Sequence, residues 1–289
     1  MPVKRSIVIA ATRSIVRDVL GKSGRGVSAS DPDVAAWLTA VLATGATVTQ
    51  PVVNAYDTFV IGLKADAVWS TILDMGVWLG PTTLAGALVK LKDTNPVSIV
   101  NVNFVSGDYS PNGGLTAANG KTLTIAKSPV SLGWTQTSAT LGMYLMANNT
   151  ATQVFIGTSS TTTRCRLAGT NTGFIQGFLN TSAVTGRSYE GQQDTNRGMI
   201  LATRVDSNPG NMTFRSYGSS TMYGEETVAC GPGNPTSTGS GIGLTALPNG
   251  TSSIGIPAAG YIMGLGLGAS ERIAMTSRWG TLVDTLIAL

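Results

Sequence analysis

The chain contains no histidine. That gap removes Ser-His-Asp and Cys-His nucleophile systems and every histidine-ligated metal site. Charge is scarce as well. Asp, Glu, Lys and Arg make up 12% of the 289 residues, against a usual share of roughly 25%. Only two cysteines occur, Cys165 and Cys230, without CxxC spacing, so no zinc ribbon is encoded. Arg164 and Arg166 flank Cys165, a setting that can depress a thiol pKa. The plainer reading is two separate strand cysteines packed as small apolar residues. No apolar run approaches the ~20 residues of a membrane span, so no membrane partner is expected. The stretch from Ile7 to Ala11 is interrupted too soon by Arg13 and Arg17 to make a signal peptide.

What replaces the charge is Ser, Thr, Asn and Gly, with 36 glycines. Strand and turn proteins have this composition, because Thr suits strands and Gly and Asn suit turns. The charge that remains is uneven. Residues 1–30 hold Lys4, Arg5, Arg13, Arg17, Lys22 and Arg25 against Asp18 alone, a net +5, so the rest of a +4 chain carries −1. The basic character belongs to an arm and not to a body-wide nucleic-acid surface. Docking on an acidic protein surface, contact with nucleic acid, and a solvated tail all remain open for that arm.

Behind the arm, Asp31-Pro32-Asp33 announces a helix. Asp31 caps, Pro32 suits the first helical position and Asp33 favours the positive end of the dipole. Val34, Trp37, Leu38, Val41 and Leu42 follow at helical spacing, and Gly45 ends the run. A second helix is expected near Pro51, with Val52, Tyr56, Phe59, Val60, Leu63 and Ile72 on one stripe. From about residue 95 short alternating runs take over, such as Thr122 to Ile125, Leu141 to Leu145 and Met199 to Val205. Turns such as Asn119-Gly120 and Asn208-Pro209-Gly210 separate them. About eight to ten strands without intervening helices predict an antiparallel sandwich. Residues 231–255 are expected to form a long loop. A closing helix follows, capped by Ser270, with Met275, Trp279, Leu282, Val283, Leu286 and Ile287 on its apolar face. The expected organisation is a basic arm (1–30), a helical region (31–94) and a mainly β sandwich with a C-terminal helix (95–289).

Three segments carry a resemblance. Asn54 to Lys64, running on to Val68-Trp69, is similar to a helix of "LVxxLK" type followed by a Leu-Trp pair. Arg197-Gly198-Met199-Ile200-Leu201-Ala202-Thr203-Arg204 resembles an "RGFFLGSR" strand. Ile262 to Arg272 resembles a last strand entering a closing helix of "LSxAE" type. In order and spacing these cover residues 50–289. Together they resemble a family of tailed-bacteriophage structural proteins with a concanavalin-A-like or laminin-G-like jelly-roll domain. The resemblance implies a virion structural protein of tail-fibre or head-appendage type, assembled in the host cytoplasm, with no cofactor and no catalytic set. The excess positive charge of the arm, together with its apolar Ile7, Val8, Ile9, Ile15, Val16, Val19 and Leu20, makes Lys4, Arg5, Arg13, Arg17, Lys22 and Arg25 the residues expected to anchor the chain to other virion proteins. Low charge and three amphipathic helices that a single sandwich need not cover lead to the expectation of a homo-oligomer, with a trimer favoured because fibre-like phage appendages usually are trimers.

Other chemistry is thinly encoded. Gly21-Lys22-Ser23 lacks the upstream glycine of a phosphate loop, since Val16 occupies that place. Glycosidases of this fold class need two carboxylates across the substrate. Here Glu225 and Glu226 are adjacent, while Asp108, Glu190, Asp194 and Asp206 are scattered. Glu190 to Asn196 is the best calcium-loop candidate, but a solvated turn is the favoured reading of it. A lectin-like surface for a host glycan or receptor is the alternative function. Trp134, Tyr189, Asp194, Asn196 and Tyr217 are its candidate contacts, with Tyr223, Gln192 and Gln193 nearby.

Overall fold

A computed structural model describes residues 26–93, 99–148, 153–158, 163–169, 175–182, 187–189, 198–205, 211–217, 222–229, 241–246 and 255–289. The described residues open with a helical hairpin, α1 (Pro32–Ala43) and α2 (Gln50–Ala65). Asp31 caps α1 as its sequence predicts, accepting from the Asp33 N–H at 2.9 Å. Gly45 closes the helix with φ of 82°, a conformation that glycine adopts without penalty. Lys64, near the end of α2, reaches back to Asp31 and Asp33, so the two helices run antiparallel. Between them Trp37 stacks on Tyr56 at 4.0 Å.

Strand β1 (Ile72–Val77) comes next, then the single turn α3 (Leu84–Ala87) and β2 (Lys92–Asp93). The strands that follow are β3 (Ile99–Val102), β4 (Tyr109–Ser110), β5 (Gly114–Thr116), β6 (Thr122–Ile125), β7 (Ala139–Leu145), β8 (Gln153–Gly157), β9 (Thr163–Gly169) and β10 (Ile175–Ser182). Then come β11 (Arg187–Tyr189), β12 (Gly198–Arg204), β13 (Asn211–Tyr217), β14 (Met222–Ala229), β15 (Ile242–Leu244), β16 (Pro257–Gly264) and the long helix α4 (Ala269–Ile287). They form two antiparallel sheets. The first has the order β14-β13-β12-β7-β16-β1-β2, with β4 and β5 attached at β16. The second has the order β11-β10-β9-β8-β15-β6-β3. This is a mainly β, jelly-roll-like sandwich with helices before and after it.

The helices do not sit beside the sandwich; they cover it. The central strands of the first sheet, β12, β7, β16 and β1, are buried on both faces, and their period-two alternation sorts side chains into two cores. Met199 and Leu201 of β12 join Trp37, Tyr56, Phe59 and Trp279 under the helices. Ile200 and Ala202 of the same strand join Leu123, Phe155, Leu167 and Leu244 between the sheets. Gly142 on β7 makes room on the helical side, since a Cβ there would meet Met199, Leu201 and Ile262 at 2.6–2.9 Å. Helix α4 lies against α2, with Trp279 edge-on to Phe59 at 5.5 Å, as its apolar face predicts.

Four expectations need correction. Ile72 is not on a helical stripe: α2 stops at Ala65, Ala67 takes a left-handed φ of 59°, and Ile72 opens β1. The stretch 31–94 therefore also supplies β1 and β2 to the first sheet. Residues 231–255 are not all loop, because β15 fills the gap between β8 and β6. Ser270 is not the cap of α4; Gly268 is, its N–H donating to the Glu271 carboxylate at 2.7 Å. Residues 26–30, drawn into the arm, are tied to α2: the Ser28 N–H donates to Gln50 and the Ser30 N–H to Asp57.

Candidate functional site

Among the described residues, a dense cluster of charge lies inside the protein. Asp74 on β1 is fully buried, and its carboxylate accepts from Lys90 at 2.8 Å and Lys127 at 3.3 Å. Asp93 on β2 accepts from the same lysines at 2.9 and 2.6 Å. Tyr261 on β16 donates its hydroxyl to the other Asp74 oxygen at 2.7 Å. Gly76, its cross-strand neighbour, lets the ring lie flat, since a Cβ there would meet it at 2.6 Å. Burial and the Asp74 charge push the Tyr261 hydroxyl well above its usual pKa, so it stays a donor. Two acids, two ammonium groups and a phenol thus balance one another. Lys127 follows β6 of the second sheet while Asp74 and Asp93 belong to the first, so the cluster is a polar seam between the sheets.

The other described carboxylates are engaged as well. Asp66 pairs with Arg278 at 2.8 Å, and that hydrogen bond holds the Asp66 carboxyl below its usual pKa. Asp108 pairs with Lys121, and Glu225 with Arg272 at 2.7 Å. Asp57 accepts the Ser30 and Asp31 N–H groups. Glu190, Asp194 and Asp206 lie outside the described residues, as does the side chain of Glu226. Among the described residues no group of His, Cys, Asp or Glu could hold a metal ion, and no helix is long and apolar enough to cross a membrane.

Of the sequence-derived glycan contacts, Trp134 is only 3% exposed and packs in the core between the sheets. Its face is spent on neighbours and offers no platform for a sugar ring. Asp194 and Asn196 lie outside the described residues. The backbones of Tyr189 and Tyr217 lie in β11 and β13, while their side chains lie outside the description. The anchoring candidates Lys4, Arg5, Arg13, Arg17, Lys22 and Arg25 also lie outside it.

The structure brings forward a different constellation. On β9, Cys165 and Leu167 point into the core between the sheets, so Arg166 points to the opposite face. Its guanidinium lies 4.6 Å from the ring centroid of Phe178, its partner on β10. Half-buried Gln176 on β10 and Gln153 on β8 belong to the same three strands. The alternation Arg164-Cys165-Arg166-Leu167 contains the signal for this outward arginine, and Cys165 packs as a small apolar residue, as its sequence setting leads one to expect. Burial pushes the Cys165 thiol up to about 12, and its Sγ donates to Asn180 Oδ1 at 2.9 Å. The flanking arginines therefore do not activate it.

A second concavity lies between α2 and α4. It encloses about 380 Å³ and has Pro51, Ala55, Phe59, Leu282 and Leu289 among its walls.

No family model matches the chain, and no curated protein matches it. Solved structures with a similar fold include a Trypanosoma rangeli sialidase, 10% identical at a TM-score of 0.45, over 81% of this chain and 39% of that one. They also include the CBM40 of the Ruminococcus gnavus IT-sialidase, 15% identical at 0.37, over 56% of this chain and 95% of that one. The leech intramolecular trans-sialidase is 14% identical at 0.35, over 56% and 27% respectively. This chain thus spans well under half of either whole sialidase. Likeness at this level concerns the β-sandwich alone.

Proposed function

We propose that the chain is a structural subunit of a tailed-phage-type virion, a tail-fibre or head-appendage component that works by assembly and not by turnover. One observation carries the reading. The three segments that resemble that family are α2, β12 and the β16–α4 junction, and they meet in a single core. Phe59 and Leu63, Met199 and Leu201, and Ile262 and Leu267 all belong to the cluster under the helices. Segments about 200 positions apart in sequence thus form one scaffold unit, as a shared architectural signature requires. The absence of histidine and the paired state of the described carboxylates support assembly over catalysis. In this reading the basic segment anchors the subunit to other virion proteins, the subunit is a homo-oligomer with a trimer favoured, and assembly takes place in the host cytoplasm.

The test is the composition of purified particles. The full chain is expected to co-purify with virions and to be labelled on them by a specific antibody. A chain lacking residues 1–25 is expected to keep its circular dichroism spectrum and melting curve yet to be absent from particles. Attachment should weaken with salt, because exposed charge pairs are screened over about 8–10 Å near physiological ionic strength. A chain confined to the soluble fraction overturns the virion reading, and normal incorporation of the truncated chain overturns the anchoring role.

A second reading, a lectin-like surface for a host glycan or receptor, is favoured by Arg166 stacked on Phe178 beside Gln176. A guanidinium with planar amides can hydrogen-bond sugar hydroxyls or carboxylates. On a glycan array the intact chain would bind a defined set, and Arg166→Ala would weaken that binding by roughly tenfold or more. An array without signal ends this second reading and leaves the first untouched.

A further inference from the structure

We propose that the groove between α2 and α4 seats the chain's own N-terminal segment, residues 1–25. The inference does not depend on the virion reading. It begins with the path of the chain. Gln50 Oε1 accepts the Ser28 N–H at 2.9 Å, while Gln50 Nε2 donates to the Ser28 carbonyl and to Asn54 Oδ1, both at 2.8 Å. About two turns further along α2, Asp57 accepts the N–H groups of Ser30 and Asp31. Residues 28–31 therefore run along α2 between Asp57 and Gln50. Gln50 adjoins Pro51 and bonds Asn54, both of which line the groove, so the chain upstream of Ser28 leaves beside one end of the groove.

The groove suits an apolar visitor. Its walls include Ala55, Phe59, Leu282 and the exposed Leu289. Its rim threonines look polar, but their hydroxyls are already spent. Thr58 donates to the Asn54 carbonyl at 2.9 Å, Thr281 to Ser277 at 3.1 Å and Thr285 to Thr281 at 2.7 Å. Back-bonded hydroxyls of this kind place little further demand on water, so covering them costs little.

The segment has the matching pattern. Ile15, Val16, Val19 and Leu20 recur at a four-residue interval, and Arg13 and Arg17 repeat at the same interval out of phase. On a helix the apolar residues would share one side and leave the arginines in solvent. Reach is sufficient. Residues 21–26 extend to about 20 Å, whereas α2 covers only about 12 Å from Pro51 to Phe59. Seating in the subunit's own groove would also keep the apolar side of an assembly arm covered until a particle partner competes for it.

Limited proteolysis with trypsin tests the proposal. Cleavage after Arg13 and Arg17 in the full chain is expected to be at least roughly tenfold slower than in a synthetic peptide of residues 1–25, since proteolysis tracks the open population. Thr58→Trp and Thr281→Trp, both at exposed groove positions, are expected to abolish that protection. Thr39→Trp, exposed on α1, should leave it intact, and melting curves would show that all three variants remain folded. Cleavage of the intact chain as fast as the peptide overturns the proposal. So does protection that survives both groove substitutions, or protection that fades on dilution, which would assign the groove to a second copy.

Discussion

Replacing Asp74 with alanine is expected to destabilise the protein by about 3–5 kcal/mol, the range found when one partner of a buried ion pair is removed. Asp74 is fully buried, and Lys127 is only 2% exposed. Without the carboxylate, Lys90 and Lys127 keep Asp93 alone, and the Tyr261 hydroxyl loses its acceptor. Two ammonium groups would then share one counter-charge inside the seam, where desolvation is not repaid. Asp74→Asn should fall between alanine and wild type, because it keeps an acceptor for Tyr261 but not the charge. Lys127→Met should cost less than Asp74→Ala, since Lys90 still neutralises part of the pair of acids. Urea midpoints at constant slope measure these differences. A loss below about 1 kcal/mol for Asp74→Ala would show that the cluster is solvated and not a sealed seam.

Trp279→Ala is the second large effect, at about 3–5 kcal/mol from lost contacts and an unfilled cavity. The ring is fully buried, edge-on to Phe59 at 5.5 Å and stacked with Tyr144 at 6.2 Å. It therefore joins α4, α2 and the first sheet at one point. Its indole N–H meets no acceptor among the described residues, so Trp279→Phe forfeits volume but no hydrogen bond. The phenylalanine variant should cost less than half as much as alanine. In a chain of this size each kcal/mol shifts Tm by roughly 2–4 °C, so the alanine variant should melt about 10 °C lower. Equal losses for Phe and Ala would mean that the N–H and not the ring holds the layers together.

Much of this fold is legible in the sequence wherever one side of an element meets water. Helix α1 follows from Asp31-Pro32-Asp33 and Gly45, and the apolar face of α4 foretells its contact with α2. The strands β6, β7 and β12 follow from the runs Thr122 to Ile125, Leu141 to Leu145 and Met199 to Val205 and the turn residues between such runs. Legibility fails where burial is two-sided. In β1, Ile72-Leu73-Asp74-Met75-Gly76-Val77 is buried almost throughout, because helices cover one face and the second sheet the other. With no polar phase to mark a period of two, Ile72 can be counted on a helix as easily as on a strand. β15 fails for another reason: Ile242-Gly243-Leu244 is too short and glycine-rich to stand out from its loop. Trp134 was misplaced because a sequence shows that an aromatic residue exists but not which neighbours cover its face. Asp74, Asp93, Lys90 and Lys127 escaped notice because they come from separate segments and share no local spacing.

The pairing of β1 with β16 also has a consequence for the timing of synthesis. Asp74 and Tyr261 are 187 positions apart, and Asp66 and Arg278 are 212 apart. At translation rates of about 5–20 residues per second, β1 waits on the order of 10–40 s for its neighbour to emerge from the ribosome. During that interval it is a strand with apolar side chains on both faces and an unpaired edge, the kind of segment that finds wrong partners. The α1–α2 hairpin is already made by then, because its contacts are local, and it can shield one face. The edge of β1 that β16 pairs with stays open until β16 and α4 arrive together. Closure is therefore a single late event, and a nascent chain stalled before residue 257 would be a substrate for chaperones and proteases, not a partly working subunit.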